Sequence, residues 1–252
     1  MATLKMPRPE YAGTFVRTLN GLGVMSMRPD ACMKAFIAFA TTCTAPVADI
    51  GAAYGVATIA ALKAGANVIA VDVDERHLRI LKRRVPRACR ERLQIIPASF
   101  PEGLSLGRDS IGAFLLSNVL NFLSPDRLPL AAERLFEWLV AGGKVFIAAG
   151  TPYFGGVRAF VPVYEVRKRA GEPWPGHLTD IPKYAPIWTN KYSSMLLLDP
   201  DTLSREFRKA GFIIEKAEFT ARLDVPPSLQ LDGRESVMLI ARKPSQTPAA
   251  PS

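Results

Sequence analysis

The sequence predicts an α/β fold in which a mostly parallel seven-stranded sheet has helices on both faces. Two observations lead to this prediction. Short apolar runs alternate with amphipathic or alanine-rich segments from residue 47 onwards, and glycines follow several of these segments. Such alternation is typical of βαβ units, whose strands are parallel. A chain of 252 residues, 48% of them hydrophobic, can bury a full core around this sheet.

The strands are predicted from short apolar runs, and the helices from the segments between them. The seven runs are residues 47–50, 67–71, 93–96, 113–116, 144–149, 213–219 and 236–241. The helical segments show apolar spacing, a capping residue at the start or a glycine at the end. They are residues 55–63, 75–84, 124–139 and 201–210.

Two segments interrupt this alternation. Residues 1–46 are predicted to form an N-terminal helical cap of one or two helices, the second opened by Arg28-Pro29-Asp30. Residues 151–198 form an insertion after the fifth strand that is too long for an ordinary connection. We interpret the insertion as a lid over a substrate pocket, and the alternative is a surface excursion with its own small apolar cluster. Its aromatic side chains are expected to line the pocket: Tyr153, Tyr164, Trp174, Tyr184 and Trp188.

Composition and charge narrow the class of protein. The net charge is +9, and much of the excess lies in the basic run 76–92, on a helix and loop leading away from the expected ligand edge. A solvated helix surface is therefore favoured over a nucleic-acid site. Three unpaired cysteines without metal-type spacing, no signal-peptide core and no long apolar run indicate a cytoplasmic protein without metal or membrane. Residues 244–252 are predicted to be a flexible tail after a 47–243 domain.

The first strand ends in a glycine turn, within the sequence VADIGAAYG at residues 47–55. Ligands of such sheets bind at the carboxyl ends of the strands. Asp72 ends the second strand, 21 residues beyond Gly51, and suits the hydroxyls of a ribose. Asp49 would repel the pyrophosphate of a dinucleotide but would favour a cation. S-adenosylmethionine has a ribose, an ammonium and a sulfonium but no phosphate, so it fits both carboxylates.

At these residues the sequence resembles the class I S-adenosylmethionine-dependent methyltransferases, strongly over about 45–150 and more loosely over 195–243. The motifs that carry the resemblance are Asp49–Gly55, Val68–Asp72, Ser117–Phe122, Leu139–Lys144 and Ala210–Phe212. The resemblance implies a Rossmann-like fold, methyltransferase activity and S-adenosyl-L-methionine as cofactor. It also implies a set of cofactor-binding residues: Asp49, Gly51, Ala52, Ala53, Gly55, Asp72, Val73, Ala98, Ser99, Ser117 and Asn118.

Three positions depart from the pattern of the family. Ala53 replaces the middle glycine of the first motif, which is tolerable if its φ is negative. Ala98, which is followed by Ser99, stands where family members often have an aspartate that contacts the adenine amine, so that contact is missing or made by a hydroxyl. Asn121 stands where many relatives have a histidine, which removes one potential base.

Methyl transfer from a sulfonium is an in-line displacement that needs positioning, and needs a base only if the acceptor arrives protonated. The candidate catalytic residues are His177, Asp180 and Tyr153 in the insertion, whereas His77 is interpreted as a surface histidine. Methylation of a small molecule at oxygen or nitrogen is the favoured function. An RNA or protein methyltransferase and a non-catalytic adenosyl-binding module are the alternatives. Nucleic acid is thus open as a partner but not favoured, and no pattern indicates an oligomeric state.

Overall fold

The computed structural model of the protein describes residues 4–10, 14–188 and 192–245. Its strands are β1 (Phe15–Arg17), β2 (Val24–Ser26), β3 (Val47–Ile50), β4 (Val68–Asp72), β5 (Leu93–Pro97), β6 (Ile111–Ser117), β7 (Leu139–Gly150), β8 (His177–Leu178), β9 (Met195–Leu196), β10 (Ile213–Thr220) and β11 (Ser236–Arg242). Its α-helices are α1 (Ala31–Ala40), α2 (Val56–Lys63), α3 (Glu75–Arg84), α4 (Arg127–Trp138), α5 (Val161–Arg169), α6 (Ile181–Tyr184) and α7 (Pro200–Lys209). The tail predicted at 244–252 lies outside the described residues from 246 onwards.

The seven-stranded sheet has the order β10-β11-β7-β6-β3-β4-β5. Strands β3 to β7 are parallel, and β11 runs antiparallel to both of its neighbours. The predicted fold class, a mostly parallel seven-stranded sheet, is therefore confirmed. The chain adds β4 and β5 on one side of β3 and then returns to place β6 on the other side. The crevice at this reversal, at the carboxyl ends of β3 and β6, is where such sheets bind ligands.

The central strands are apolar because helices cover both faces of the sheet. Every residue of β3 and of β4 is buried, and two separate hydrophobic clusters fill the two faces. Four of the helices begin at an aspartate whose carboxylate accepts a backbone N–H of the first turn, a standard cap. These aspartates are Asp30 before α1, Asp74 before α3, Asp180 before α6 and Asp199 before α7.

Among residues 4–10 and 14–46, which are the described part of the segment before the sheet, there is one helix, and a β-hairpin takes the place of a first helix. Helix α1 begins where Arg28-Pro29-Asp30 predicts it, and it packs on the sheet against β6 and β7. Ahead of it, β1 and β2 pair antiparallel, joined by a turn in which Gly21 has a φ of +71°. Aromatic and β-branched residues at 14–16 favour extended backbone, and this glycine permits the turn. The hairpin packs on Ala53, Tyr54 and Ile80.

The insertion, residues 151–198, folds around a hydrophobic cluster of its own. Tyr153 and Tyr164 lie in that cluster, with Phe160 and several aliphatic side chains. Its two ends meet, because the Leu198 N–H donates to the Gly150 carbonyl at 3.1 Å. This cluster is the one that the surface-excursion alternative anticipates, and the role of the segment as a lid stays a prediction.

The basic run 76–92 covers α3 and a 3₁₀ turn, Arg87–Arg92. On the exposed face, Arg79 pairs with Glu75. Several other arginines of the run donate to backbone carbonyls of the same domain, namely Arg83 to Leu4, Arg84 to Tyr54, Arg90 to Val85 and Arg92 to Leu62. Part of the positive charge is therefore engaged in holding the fold. Over the described part of the chain, no helix combines the length and the apolar character that a membrane span requires.

Candidate active site

The glycine turn after β3 lies against the end of β4. The N–H groups of Gly51 and Ala52 both donate to the Val71 carbonyl, at 2.8 and 2.9 Å. Gly51 and Gly55 have φ values of +73° and +82°, which glycine adopts at little cost. Ala53 has a φ of +44°, so the condition of a negative φ is not met. Its left-handed backbone costs about 1–2 kcal/mol, and a hydrogen bond from its N–H to Asp72 Oδ2 at 2.9 Å offsets part of this cost.

Asp72, the predicted ribose-binding acid, is 7% exposed and accepts three hydrogen bonds. Its Oδ1 accepts the Asp74 N–H at 2.9 Å and lies 3.0 Å from His77 Nδ1, while the one donor to Oδ2 among the described residues is the Ala53 N–H. Each carboxylate oxygen has two lone pairs, so Oδ2 keeps one acceptor position. That position suits one ribose hydroxyl.

Asp49 is 4% exposed and accepts the Thr58 hydroxyl at 2.6 Å. Burial raises the pKa of Asp49 to about 6, and the neighbouring carboxylate of Asp72 adds to the shift, against the opposing hydrogen bonds from Thr58. Among the described residues, no cationic side chain pairs with Asp49. A ligand ammonium near it would stabilise the ionised carboxylate and bring the pKa down again.

We expect Asp49→Asn to stabilise the ligand-free protein at pH 7.5 and to weaken its binding of S-adenosylmethionine. The folded-state pKa of about 6 lies above the ordinary value of 3.8, so this group's contribution to stability falls as pH rises between these values. Asparagine does not ionise, so we expect the free energy of unfolding to rise by about 1–3 kcal/mol at pH 7.5. Urea unfolding at pH 5.0 and 7.5, with calorimetry for the ligand, measures both effects. A gain that is the same at both pH values would contradict this account.

The other wall of the crevice follows β6. Asn118 has a φ of +57°, and its N–H donates to the Ala148 carbonyl at 2.7 Å. Val119 then packs on the glycine turn so closely that a Cβ at Gly51 would lie 2.5 Å from Val119 Cγ2. This contact brings the Ser117–Asn118 segment beside the turn.

A third segment at this edge follows β5. The Ala98 N–H donates to the Asp72 carbonyl at 3.1 Å, which places Ala98 and Ser99 next to Asp72, the predicted ribose-binding residue. Val73, directly after Asp72, is exposed. The structure thus gathers the predicted cofactor-binding residues of all three segments at one edge of the sheet, and their contacts with a cofactor stay a prediction.

His77 is 1% exposed, so its interpretation as a surface histidine is wrong. Its Nε2 accepts the Leu19 N–H of the N-terminal hairpin at 2.9 Å, and its Nδ1 faces Asp72 Oδ1 at 3.0 Å. Because Leu19 N can only donate, Nε2 carries no proton and the Nδ1–H donates to Asp72. Helical spacing could have located this residue, since His77 is four residues before the buried Leu81 on α3.

Tyr153 lies near the start of the insertion, whereas His177 and Asp180 lie three residues apart, at the start of β8 and just before α6. Tyr153 is buried, its hydroxyl bonds to Glu165, and burial followed by this bond raises its pKa to about 12. Asp180 is exposed and caps α6 by accepting the Lys183 N–H at 3.3 Å.

His177 begins β8 and is partly buried. Burial, and then the Arg167 guanidinium, lower its pKa. A lowered pKa keeps the imidazole neutral at pH 7, which is the form that a general base needs. The catalytic roles of all three residues stay predictions.

Asn121, at the position where many relatives have a histidine, has a structural role. Its amide nitrogen donates to the Gly150 and Leu196 carbonyls at 2.9 and 2.8 Å, and its amide oxygen accepts the Gly150 N–H at 2.8 Å. This side chain therefore ties the end of β7 to strand β9 of the insertion. With its amide engaged on both sides, Asn121 has no role in proton transfer.

Four aromatic rings form a row along the carboxyl edge, which we call the aromatic row: Phe154, Trp188, Tyr192 and Phe122. Phe154 stacks on Trp188 with centroids 5.8 Å apart and planes at 9°. Trp188 meets Tyr192 edge-on at 6.4 Å, and Tyr192 meets Phe122 at 5.4 Å. Phe122 is 43% exposed and reaches the hairpin turn, where a Cβ at Gly23 would lie 3.8 Å from its ring. Sequence reasoning did not single out Phe122 or Phe154, because their contacts join distant segments.

Most of the aromatic side chains that were predicted to line the pocket pack elsewhere. Tyr153 and Tyr164 are buried in the hydrophobic cluster of the insertion, Trp174 lies under the Arg205 guanidinium at 5.2 Å, and Tyr184 packs on Phe160. Of the five predicted aromatics, Trp188 is the one that belongs to the aromatic row. Within the described residues, no group of three or more potential ligands gathers to hold a metal ion.

Residues 47–143 match the family model described as a methyltransferase domain. No curated protein matches the sequence. Among solved structures, an S-adenosylmethionine-dependent methyltransferase from Mesorhizobium loti superposes with a TM-score of 0.61 at 18% identity, covering 84% of this chain and 95% of that chain. A 1,6-didemethyltoxoflavin-N1-methyltransferase from Burkholderia thailandensis gives a TM-score of 0.56 at 20% identity, covering 85% and 79% of the respective chains.

A third similar structure is a glycopeptide N-methyltransferase complexed with S-adenosyl-L-homocysteine, with a TM-score of 0.55 at 17% identity over 84% of this chain and 88% of that chain. The family model over residues 47–143 and the shared fold bear out the predicted resemblance to Rossmann-like, S-adenosylmethionine-dependent methyltransferases. With this methyltransferase domain the protein is an enzyme of the transferase type, and S-adenosyl-L-methionine is the cofactor of such domains.

Proposed function

We propose that the enzyme transfers the methyl group of S-adenosylmethionine to an oxygen or nitrogen of a small, flat acceptor, which binds against the aromatic row. The observation that carries this proposal is the position of the row. Phe122 lies three residues after Val119, which touches the glycine turn, and Phe154 lies four residues after the end of β7. Both ends of the row therefore follow strands whose carboxyl ends border the cofactor crevice. The exposed Leu22 and Val73 add apolar surface at this edge.

The chemistry of the row favours an aromatic or heterocyclic acceptor. Ring faces and edges bind flat apolar groups by stacking, and they exclude water from the reacting atoms. Exclusion of water strengthens the attraction between the sulfonium and an electron-rich oxygen or nitrogen. His177 is proposed as the base for a protonated acceptor. Its imidazole forms no side-chain hydrogen bond among the described residues, and its pKa is lowered first by burial and then by Arg167.

Asp180 and Tyr153 are weaker proposals for the same step. Asp180 already caps α6, and a tyrosine with a pKa of about 12 is a poor base at neutral pH. We assign Tyr153 the role of supporting the insertion, and Asp180 that of holding the turn next to β8. We also propose a cytoplasmic location, which the three free cysteines support.

We expect Trp188→Ala and Tyr192→Ala each to raise the KM for the acceptor by about 10-fold, while the affinity for S-adenosylhomocysteine stays unchanged. The measurement is transfer of a labelled methyl group to a panel of phenols, aromatic amines and nitrogen heterocycles. Trp174→Ala is the matched control, because Trp174 lies in the same insertion but packs on Arg205 rather than in the row. Equal effects of all three substitutions would mean that the row has no special role.

Two other outcomes would replace the proposal. Transfer only to RNA or protein, with binding that weakens steeply as salt rises, would assign the positive charge to acceptor binding. Binding of S-adenosylhomocysteine without transfer to any acceptor would support a non-catalytic adenosyl-binding module.

A further inference from the structure

Two hydrogen bonds join residues 17–19 of the N-terminal hairpin to Tyr54 and His77, which lie beside the cofactor crevice. The Leu19 N–H donates to His77 Nε2 at 2.9 Å, and the Tyr54 hydroxyl donates to the Arg17 carbonyl at 2.9 Å. The rings of Tyr54 and His77 meet edge-on with centroids 5.1 Å apart. Both rings thus sit between the hairpin and the cofactor crevice. Tyr54 belongs to the glycine turn, and His77 contacts the carboxylate of Asp72, the predicted ribose-binding residue.

We propose that His77 is a positioning residue for the cofactor. Its neutral imidazole holds the Asp72 carboxylate and the N-terminal hairpin together, so that docking of the hairpin and binding of the cofactor form one proton-sensitive event. The inference concerns the cofactor site alone and does not depend on the acceptor proposed above.

The positioning role follows from the hydrogen-bond arrangement around Asp72. The Nδ1–H of His77 and the Asp74 N–H occupy Oδ1, which fixes the carboxylate rotation and leaves Oδ2 to face the crevice. A carboxylate held in one orientation binds a ribose hydroxyl without first losing rotational freedom. The same imidazole reaches the hairpin through its other nitrogen. A change in either contact is therefore transmitted to the other.

The proton sensitivity follows from the same geometry. Leu19 N–H needs the lone pair on Nε2, and a protonated imidazole has no lone pair to offer. The carboxylate of Asp74 can accept the new Nε2–H, because its Oδ2 lies 3.6 Å from Nε2. Protonation therefore exchanges the bond to the hairpin for a bond to Asp74, and it leaves the Leu19 N–H without its partner.

The titratable and charged groups around the imidazole come from each element that packs on it. They are Asp72 on β4, Asp74 with its partner Arg76 at the start of α3, Tyr54 in the glycine turn, and the Arg17–Glu10 pair on the hairpin. Burial raises the pKa of Asp49, at the end of β3, to about 6, so the test must separate protonation of Asp49 from protonation of the imidazole.

The test compares S-adenosylhomocysteine binding between pH 5.5 and 8.0 in the wild type, His77→Phe, His77→Gln and Asp49→Asn. At pH 8.0 we expect His77→Phe to bind about 10- to 100-fold more weakly, as for loss of a charge-assisted hydrogen bond. His77→Gln, which can donate to Asp72 and accept from Leu19, should restore most of the affinity and lose the imidazole part of the pH dependence. Asp49→Asn should keep that part. Full wild-type pH dependence in His77→Gln would overturn the proposal.

A second readout follows the hairpin directly. Hydrogen exchange of residues 14–27 should slow when S-adenosylhomocysteine binds to the wild type or to His77→Gln, and it should not respond to ligand in His77→Phe. Tyr54→Phe is the matched control, because it removes one fastening of the hairpin but leaves the imidazole, and it should keep the wild-type pH dependence. Ligand protection of the hairpin in His77→Phe equal to that of the wild type would also overturn the proposal. A wild type that binds no S-adenosylhomocysteine at any pH would instead contradict the cofactor assignment.

Discussion

Asp72→Ala is expected to weaken S-adenosylhomocysteine binding by about 100-fold or more and to lower the free energy of unfolding by about 2–4 kcal/mol. The carboxylate accepts the N–H groups of Ala53 and Asp74 and the imidazole of His77, all in buried or partly buried positions. Its removal leaves these donors without acceptors, in addition to removing the ribose contact. Calorimetry with the ligand and urea unfolding measure the two losses separately.

Asp72→Asn is the matched control for this change. Asparagine keeps the shape and one acceptor oxygen, but its NH2 group must face one of the protein donors, since donors occupy both oxygens of Asp72. We expect an intermediate loss in both measurements. If Asp72→Ala loses ligand affinity without losing stability, the three protein contacts are not important for the fold, and the account of His77 weakens with them.

Gly176→Ala is expected to disrupt the insertion and abolish acceptor methylation while S-adenosylhomocysteine still binds. A Cβ at Gly176 would overlap the carbonyl oxygen of Leu197 and would lie 2.9 Å from its carbonyl carbon. These atoms are backbone, and the Gly176 carbonyl accepts the Leu197 N–H at 2.9 Å, so neither strand can move without breaking the β8–β9 pair. The cost should be about 3 kcal/mol or more. Limited proteolysis of residues 151–198 tests whether the insertion is disrupted. Turnover measures acceptor methylation, and calorimetry measures binding of S-adenosylhomocysteine.

Gly171→Ala separates steric overlap from backbone strain. Gly171 lies in the same insertion with a φ of +73°, and a Cβ there would meet nothing within 4 Å. Its substitution should cost only about 1 kcal/mol, with turnover retained. Full turnover in Gly176→Ala, with the insertion cleaved by protease, would show that the acceptor site lies elsewhere, and the proposed role of the aromatic row would fall.

The sheet and its ligand edge could be predicted from sequence because their signals are local. Each strand is an apolar run, and Asp49, Gly51 and Asp72 stand at fixed distances along the chain. The hairpin at 15–26 escaped prediction because its strands have three residues each, too few for a period of two to show. Its position is set by distant partners, since Leu19 and His77 are 58 residues apart.

The environment of single side chains was harder to predict than the elements that carry them. The buried face of α3 follows from periodicity, yet the burial of a polar His77 there depends on acceptors and donors from two other segments. The positive φ of Ala53 likewise depends on Asp72, which compensates a conformation that alanine alone disfavours. The aromatic row is a third case, because Phe122 meets Tyr192 and Phe154 meets Trp188 only after β6, β7 and β9 are in place.

The hydrogen bond between Leu198 and Gly150 makes the insertion an exchangeable module. Both of its ends are held at one point of the sheet, and most of its buried side chains form one cluster within the segment. Its links to the main core are few and lie near its second half, through Leu196, Leu198 and Trp174. Loop-closure cost rises slowly with length, so an inserted segment of another size is tolerated if its ends meet the same groups. Diversification of acceptor range, by evolution or by grafting, can then proceed here while β3, β4 and the glycine turn stay unaltered.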